Sequence, residues 1–415
     1  SISFKLHICS NCKIELSNEE SSKRQVKHSE AYVLLKIVNA VTLLSKENGP
    51  YEFIYYTPDE GNVLSAEKYG IKAKTIDFGR KQRFIHRLRK HISLNRILNK
   101  WGIFQPIDTI FEKDNLDLLY FTGPSPICLF LERLNYVLTF WDLCHLEHIE
   151  FPEVRQSFEF EARENFARNA LPKAIAVIAV SPSGKKTLEE KYSLDKNRVH
   201  SLSISPALRE YDINDSGFDP RKEANIPAGS PYVFYPAQFW AHKNHRLIID
   251  SLCCLREKSE EVYAIFCGSD CGNLKIVLEM ANNKGVGDLV KYLGFVPDKF
   301  MPILYKQSIA LVMPSYFGPV NMPPLEAFEL GTPVIVSDLE GIRDQVSDAA
   351  LLVPPDDPAI LCDTIIKLLK DENLRNNLIR KGKKKLSTLT DSDRLGTLNK
   401  IFNAYYKKRS TWSLD

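Results

Sequence analysis

Long apolar runs are missing from this sequence. No stretch of its 415 residues approaches the roughly 18 consecutive apolar residues that a membrane-spanning helix needs. The first residues lack a signal-peptide pattern, since polar and charged side chains rather than an apolar core follow Ile8. A strong charge imbalance is missing too: 55 Lys and Arg against 52 Asp and Glu leave a formal net charge of +3, too little to argue by itself for a nucleic-acid partner. Zinc spacing is absent. Cys9 and Cys12 form a CxxC, but no second cysteine pair or histidine pair follows where a structural zinc would need one. The nine cysteines are scattered, Cys253 beside Cys254 in a helical pattern, Cys267 and Cys271 around a glycine-containing turn. They read as small hydrophobes in a reducing compartment. Glycine does not occur before Gly49, and no internal repeat or low-complexity tract is found. The expectation left standing is a cytoplasmic globular protein.

What is present has the rhythm of alternating strands and helices. Apolar runs at 4–8, 53–56, 71–76, 116–121, 137–140, 174–180 and 199–202 read as strands, with helical patterns at 31–44, 158–169 and 183–192 between them. Residues 203–231, rich in Pro, Asp, Gly and Ser, interrupt the pattern and read as a linker. Strand patterns resume at 232–235, 262–267, 290–293, 309–313, 334–336 and 351–353. Alternation of this kind predicts α/β architecture with parallel sheets covered on both faces. The chain is therefore expected to hold two Rossmann-like domains facing across a cleft, 1–205 and 206–390, and a C-terminal helix, 391–415, able to cross back to the first domain. Ligands of such sheets bind beyond the carboxyl ends of the strands.

Two strand-end stretches carry chemistry. Residues 315–333 read S-Y-F-G-P-V-N-M-P-P-L-E-A-F-E-L-G-T-P. A turn with Gly318 and Asn321 leads into a short helix opened by Pro323 and Pro324 and closed by Gly331, as expected of prolines in a first turn and glycine past the end. A strand, a tight loop and a helix N-terminus together predict an anion site. Glu326 is placed in the first turn, where its carboxylate either accepts hydrogen bonds from a sugar or ribose or merely complements the helix dipole. Residues 235–245 read Y-P-A-Q-F-W-A-H-K-N-H. Lys243, beside His242, Asn244 and His245 near the next helix start, suits a phosphate, against the common alternative of a solvated lysine.

These stretches, with L-G-F-V-P at 293–297 between them, resemble the retaining glycosyltransferases of family four, which have the GT-B fold. The strongest motifs cover about residues 232–355; weaker similarity reaches W-D-L-C-H-L-E-H-I-E-F-P-E at 141–153 and A-V-I-A-V-S-P-S-G-K-K at 176–186. The resemblance implies a nucleotide-sugar donor on the C-terminal domain, an acceptor on the N-terminal one, and no metal or other cofactor to hold the diphosphate. It implies that Glu326, the second glutamate of a Glu-x7-Glu motif, binds ribose hydroxyls. Lys243 would contact the diphosphate, backbone N–H groups of Val320, Asn321 and Met322 the donor sugar and phosphate, and Phe295 and Val296 the base. The sequence departs from the family where the first glutamate falls on Gly318, where the usual arginine falls on Gln238, and where a His-Asp motif becomes Trp141-Asp142. A branch with A-Q-F-W, W-D-L-C and G-P-x-N carries these changes together. The family's Gly-rich loop after the first strand is also absent; Ser21, Ser22 and Lys23 stand in that region. Asp142 and His145 are candidates for the acceptor side, with a structural Asp or His at a strand end as the alternative.

Residues 80–100 contain no acidic residue and place apolar side chains such as Phe84, Leu88 and Ile92 on one helical face. Such a segment suits an anionic membrane surface or a solvated helix packed on its domain; no nucleic-acid recognition motif accompanies it. The expected function is transfer of a mannose-like hexose from a GDP- or UDP-linked donor to a glycan or lipid-linked glycan, with retention, in O-antigen or capsule assembly at the inner face of the plasma membrane. A nucleotide-sugar epimerase of the same fold and a non-catalytic nucleotide- or sugar-binding scaffold remain as alternatives.

Overall fold

Two parallel sheets organise the chain in the computed structural model, which describes residues 4–9, 51–57, 60–67, 72–75, 108, 111, 114–202, 206, 217–318, 320–389 and 391–412. The first sheet holds β1 (Phe4–Cys9), β2 (Tyr51–Thr57), β3 (Ala73–Thr75), β4 (Leu118–Phe121), β5 (Asn135–Phe140), β6 (Ala176–Ala179) and β7 (Val199–Ser201), in the order β3-β2-β1-β4-β5-β6-β7. The second holds β8 (Tyr232–Pro236), β9 (Tyr263–Cys267), β10 (Val290–Tyr292), β11 (Ala310–Met313), β12 (Val334–Ser337) and β13 (Leu351–Val353), in the order β10-β9-β8-β11-β12-β13. Register runs in phase across the second sheet, with Tyr235 opposite Phe266 and Leu311 opposite Val334.

The local sequence explains these elements. Every residue of β4, β6, β9, β11 and β12 is buried, as strands covered on both faces require, so they read as unbroken apolar runs. All thirteen described strands were expected, with ends displaced by one or two residues at most. Amphipathic helices cover the sheets. In the helix His245–Glu257, Leu247, Ile248, Leu252 and Leu255 are buried at helical spacing. Ser181 caps the helix Pro182–Tyr192 by accepting from the Gly184 N–H at 3.0 Å, and Asp357 caps Pro358–Lys370 by accepting from two N–H groups. The expected helix at 31–44, the basic segment 80–100, Ser21, Ser22, Lys23 and Cys12 lie outside the described residues.

Both sheets reverse their strand order once, between β1 and β4 and between β8 and β11. At such a point the loops leave on opposite faces and open a crevice beyond the strand ends. In the second sheet that crevice is flanked by the two stretches singled out by sequence, since one follows β8 and the other β11.

The last helix, Asp391–Arg409, packs on the first sheet. Leu398, Ile401, Phe402 and Tyr405 are buried against Leu118, Tyr120, Val137 and Ile178. The Tyr405 hydroxyl donates to the Asp117 carbonyl at 2.9 Å, and Arg409 Nε lies 3.0 Å from Asp117 Oδ1. Phe402→Ala is expected to cost about 3–5 kcal/mol, the usual cost of a buried phenylalanine deletion, read as a lowered denaturant midpoint; Lys400→Ala, at an exposed position of the same helix, should stay within about 0.5 kcal/mol.

Candidate active site

Three strand-end loops of the second sheet are tied into one rim. The Phe239 N–H donates to the Ser269 carbonyl at 3.0 Å, the Gly268 N–H to the Gly294 carbonyl at 3.1 Å, and the Tyr292 hydroxyl to the Gly268 carbonyl at 2.8 Å. Gly268 has φ +144°, and a Cβ there would sit 2.3 Å from the Ala237 carbonyl oxygen, so only glycine allows this approach. Gln238 turns its side-chain carbonyl to the Trp240 indole, which donates to it at 3.0 Å. Phe295 is exposed on this rim while Val296 is buried.

Lys243 ends a short 3-10 turn, Ala241–Lys243, and Asn244 then takes the left-handed conformation (φ +56°) before the helix begins at His245. Asn244 is buried, and its amide donates to the carbonyls of Pro314 at 2.9 Å and Pro355 at 2.7 Å. The Tyr235 hydroxyl donates to the Lys243 carbonyl at 3.0 Å and lies 2.9 Å from the Ser315 hydroxyl. The backbone carrying Lys243 is thus fixed from two sides. Lys243 as a whole is half-buried. Desolvation, the largest effect, lowers its pKa, opposed by the charges of Asp142 and Glu153 from the first half of the chain.

His242 binds that first half directly. Its N–H donates to Glu153 Oε1 at 3.0 Å, and its Nδ1 is hydrogen-bonded to the same oxygen. Burial lowers the His242 pKa, with Glu153 opposing. Around this contact Phe151 packs on Tyr316 (ring centroids 5.8 Å apart) and His148 on Phe317 (5.4 Å). Glu153 was not singled out by sequence; it lies 89 residues from His242.

His245, grouped with Lys243 in the sequence, is instead a core residue. It is fully buried, stacked on Phe239 with centroids 4.2 Å apart, and neither ring nitrogen has a hydrogen-bond partner. Burial lowers its pKa to about 3, with Lys243 adding to the effect. His145, expected on the acceptor side, is likewise fully buried. Its Nε2 lies 3.3 Å from both Glu164 Oε2 and the Tyr192 hydroxyl. The correction has a simple cause: the short helix Cys144–Glu147 turns this side chain inward. Asp142 is half-exposed, accepting from the Cys144 N–H at 3.1 Å and from Arg163 at 3.2 Å.

Glu326 also needs a correction of place. The helix runs Met322–Leu330 with Asn321 as its N-cap, so Glu326 stands in the second turn rather than the first. There the buried Tyr305 donates its hydroxyl to Glu326 Oε2 at 2.7 Å. Burial and the Glu326 charge hold the Tyr305 hydroxyl well above its ordinary pKa. Burial and then the same charge push the Cys267 thiol, at the end of β9, up to about 12.

The loop before this helix is interlocked. Gly318 has φ +139°, and a Cβ there would lie 2.6 Å from Asn321 Nδ2. The Asn321 amide fills that space and donates to the Gly318 carbonyl at 2.9 Å. The N–H of Asn321, expected to face a ligand, already donates to Gln345 Oε1 at 3.0 Å. Pro323 and Pro324 remove two further donors from the helix start. A cavity of about 290 Å³ opens beside this loop, between the halves, lined by Trp141, Asp142, Glu147, Phe317, Gly318 and Glu340 among others. Burial raises the Glu147 pKa, with Asp142 adding to it. Lys243 and Glu326 do not line this cavity. Among the described residues no group of three or more His, Cys, Asp or Glu side chains could hold a metal ion, and no helix is long and apolar enough to cross a membrane.

Comparison with known proteins fits the second sheet first. Residues 218–385 match the family described as glycosyl transferases group 1. The O-antigen chain mannosyltransferase B of Escherichia coli is 24% identical over 315 residues, 75% of this chain and 79% of that protein. The O-antigen chain mannosyltransferase RfbU of Salmonella typhimurium is 29% identical over 191 residues, 44% of this chain and 47% of its own. The fold extends over nearly the whole chain: the crystal structure of Anabaena Alr3699/HepE in complex with UDP and glucose superposes with a TM-score of 0.62 over 97% of this chain and all of that one, at 16% identity. The architecture is GT-B.

His245 gives a pH test of the core. Its folded pKa lies below the unfolded value of about 6.5, so from about pH 6.5 downward the unfolded chain binds a proton the folded chain refuses. Stability should fall there by about 1.4 kcal/mol per pH unit from this group alone. His245→Phe should flatten that slope in denaturant titrations between pH 7.5 and 4.5.

Proposed function

We propose, from the match of residues 218–385 to the glycosyl transferases group 1 family, that the chain moves a hexose from a nucleotide-sugar donor to a glycan or lipid-linked glycan, with retention of configuration and without a metal. The observation that carries this function is the switch point of the second sheet, where the stretches bearing Lys243 and Gly318–Met322 leave the paired strands β8 and β11. On this proposal residues 206–390 hold the donor and 1–205 the acceptor, with 391–415 covering the latter.

Lys243 neutralises the leaving diphosphate. A cation already stripped of much of its water gains more from an anion than a solvated lysine does. Glu326, oriented by Tyr305, accepts from the ribose hydroxyls, and the N–H groups of Val320 and Met322 meet the sugar and phosphate. Gln238 contributes through its amide rather than a charge, and Phe295 and Val296 border the base. Transfer then proceeds through a short-lived oxocarbenium-like ion pair, the diphosphate taking the proton of the acceptor hydroxyl on the same face. The protein positions reactants and stabilises the charge that leaves. Asp142 belongs to the acceptor side; His145 supports it from the interior.

The cavity bounds the acceptor. Three carboxylates, Asp142, Glu147 and Glu340, and the rings of Trp141 and Phe317 line it. Carboxylates with aromatic faces suit the hydroxyls and C–H faces of an uncharged pyranose and repel a phosphorylated one. The mannose-specific relatives and the UDP complex favour a mannose-like hexose and a GDP or UDP donor. Residues 80–100 supply contact with an anionic membrane, which places the enzyme at the inner face of the plasma membrane in surface-polysaccharide assembly.

Four measurements check this. In a thermal-shift screen of GDP, UDP, dTDP and ADP, one nucleotide at 100 times its dissociation constant should add about 2.7 kcal/mol; no stabilisation by any of them sinks the transferase function. With the donor so identified and glycan extract, a new glycoside is expected, whereas altered free sugar would mean an epimerase and no product a scaffold. Lys243→Ala should lower turnover about a hundredfold, about 3 kcal/mol of barrier, and unchanged turnover removes Lys243 from the site. Finally, a neutral methyl mannoside should compete with the acceptor while mannose 6-phosphate should not.

A further inference from the structure

Gln345 has no place in the motifs that point to the donor site, yet it touches the centre of the donor loop. It projects from the helix Glu340–Val346. Its Oε1 accepts from the Asn321 N–H at 3.0 Å, and its Nε2 donates to the Asn321 carbonyl at 2.5 Å. One side-chain amide thus closes on both backbone groups of one residue. We propose that Gln345 is a positioning residue for the donor: by clamping Asn321 it sets the peptide planes that aim the Met322 N–H and hold Gly318 and Asn321 interlocked. The proposal rests on the transferase function above and deepens it.

The geometry follows from peptide planarity. The Asn321 N–H belongs to the peptide joining Val320 and Asn321, and its carbonyl to the peptide joining Asn321 and Met322. Gln345 therefore orients two successive planes at once. In a planar trans peptide the carbonyl and the following N–H point opposite ways. With the Asn321 carbonyl held by Gln345, the Met322 N–H is directed to the other side of the loop. That donor matters because Pro323 and Pro324 offer none after it. Small donor sets depend most on the aim of each member, since a misplacement of about 1 Å can cost about a hundredfold in rate.

The clamp also reaches the cavity. Glu340, Gly341 and Ile342 line it from the helix that carries Gln345, and Phe317 and Gly318 line it from the clamped loop. The Asn321 side chain holds the Gly318 carbonyl at 2.9 Å. Through Gln345 and Asn321, the two C-terminal walls of the cavity are one hydrogen-bonded unit, with the helix of Glu326 starting at the same residue.

Gln345→Met tests this, keeping length and shape while removing both hydrogen bonds. Steady-state kinetics use the nucleotide sugar whose nucleotide stabilises the wild type. The donor KM should rise about tenfold, as expected for loss of two neutral hydrogen bonds, alongside a fall of a few degrees in the melting temperature without nucleotide as the Asn321 N–H loses its partner. Gln345→Glu, which keeps an acceptor for the Asn321 N–H but sets a carboxylate oxygen against the Asn321 carbonyl, should raise the donor KM at least as far. A wild-type donor KM in Gln345→Met, or a loss confined to melting temperature with kcat/KM intact, overturns the positioning role. If the wild type transfers sugar and Gln345→Met matches it, this inference alone fails; if the wild type neither binds a nucleotide nor transfers, the transferase function fails instead.

Discussion

The C-terminal half of the cleft depends on neutral side-chain amides that satisfy backbone groups at strand ends. Asn244 is the keystone. Its one NH2 group reaches the carbonyls of Pro314 and Pro355 and so joins the loops after β8, β11 and β13. A parallel sheet leaves such carbonyls in need of partners, because the strands stop while the chain is still buried. An amide meets that need without adding charge. A carboxylate could not donate to these carbonyls, and a lysine would place a second cation beside Lys243. Asn321 and Gln345 repeat the solution one loop further on. The result is a rim held by dipoles, in which the charge of Lys243 is left for a ligand.

The contact between the halves obeys a different rule. Glu153 and His242 are both largely buried, and a buried carboxylate is costly unless its oxygens are hydrogen-bonded. Here one carboxylate oxygen takes both the His242 backbone N–H and its ring nitrogen. Phe151, Tyr316, His148 and Phe317 exclude water around it. Lys243 follows His242 in sequence, so whatever fixes the halves against each other also fixes the lysine against Asp142. Relative position of the halves and placement of Lys243 are thereby coupled through two adjacent residues.

Most of the fold was legible in the sequence because parallel, doubly covered strands read as apolar runs with turns at their ends. The strands of the second sheet and the motif loops follow from that pattern alone. Side-chain direction was less legible. Glu326 was placed one turn too early because the prolines look like the helix start, whereas the structure begins the helix at Met322 with Asn321 as cap. His145 and His245 looked like cleft residues because histidine beside a lysine or an aspartate suggests chemistry; His145 stands on a single helical turn, too short for period to show its face, whereas His245 shares a buried face with Ile248, Ile249 and Leu252, a helical spacing that the motif obscured. Glu153 and Gln345 were missed for another reason. Their partners lie 89 and 24 residues away, and no local pattern records a contact between elements that meet only in the fold.

Gly318 looked in sequence like the site of a missing carboxylate. In the structure its left-handed φ and the Asn321 amide against it make the glycine and the asparagine a single device, and a side chain could return at 318 only by displacing Asn321. The electrostatics agree with a coordinated change. Relative to the family pattern, Gly318 removes one negative charge and Gln238 removes one positive charge. The two nearly cancel in the field felt by a bound diphosphate, provided both flank the same crevice, as their loops on β8 and β11 do. Independent decay would have no reason to keep that balance, nor to surround the vacancy with a closed set of hydrogen bonds. Replacing a charged pair by amides instead moves the demand from charge to geometry. A dipole loses its effect on misalignment faster than a point charge does, so a site built this way has to hold its loops more tightly, and the clamps at Asn244, Asn321 and Gln345 supply that constraint.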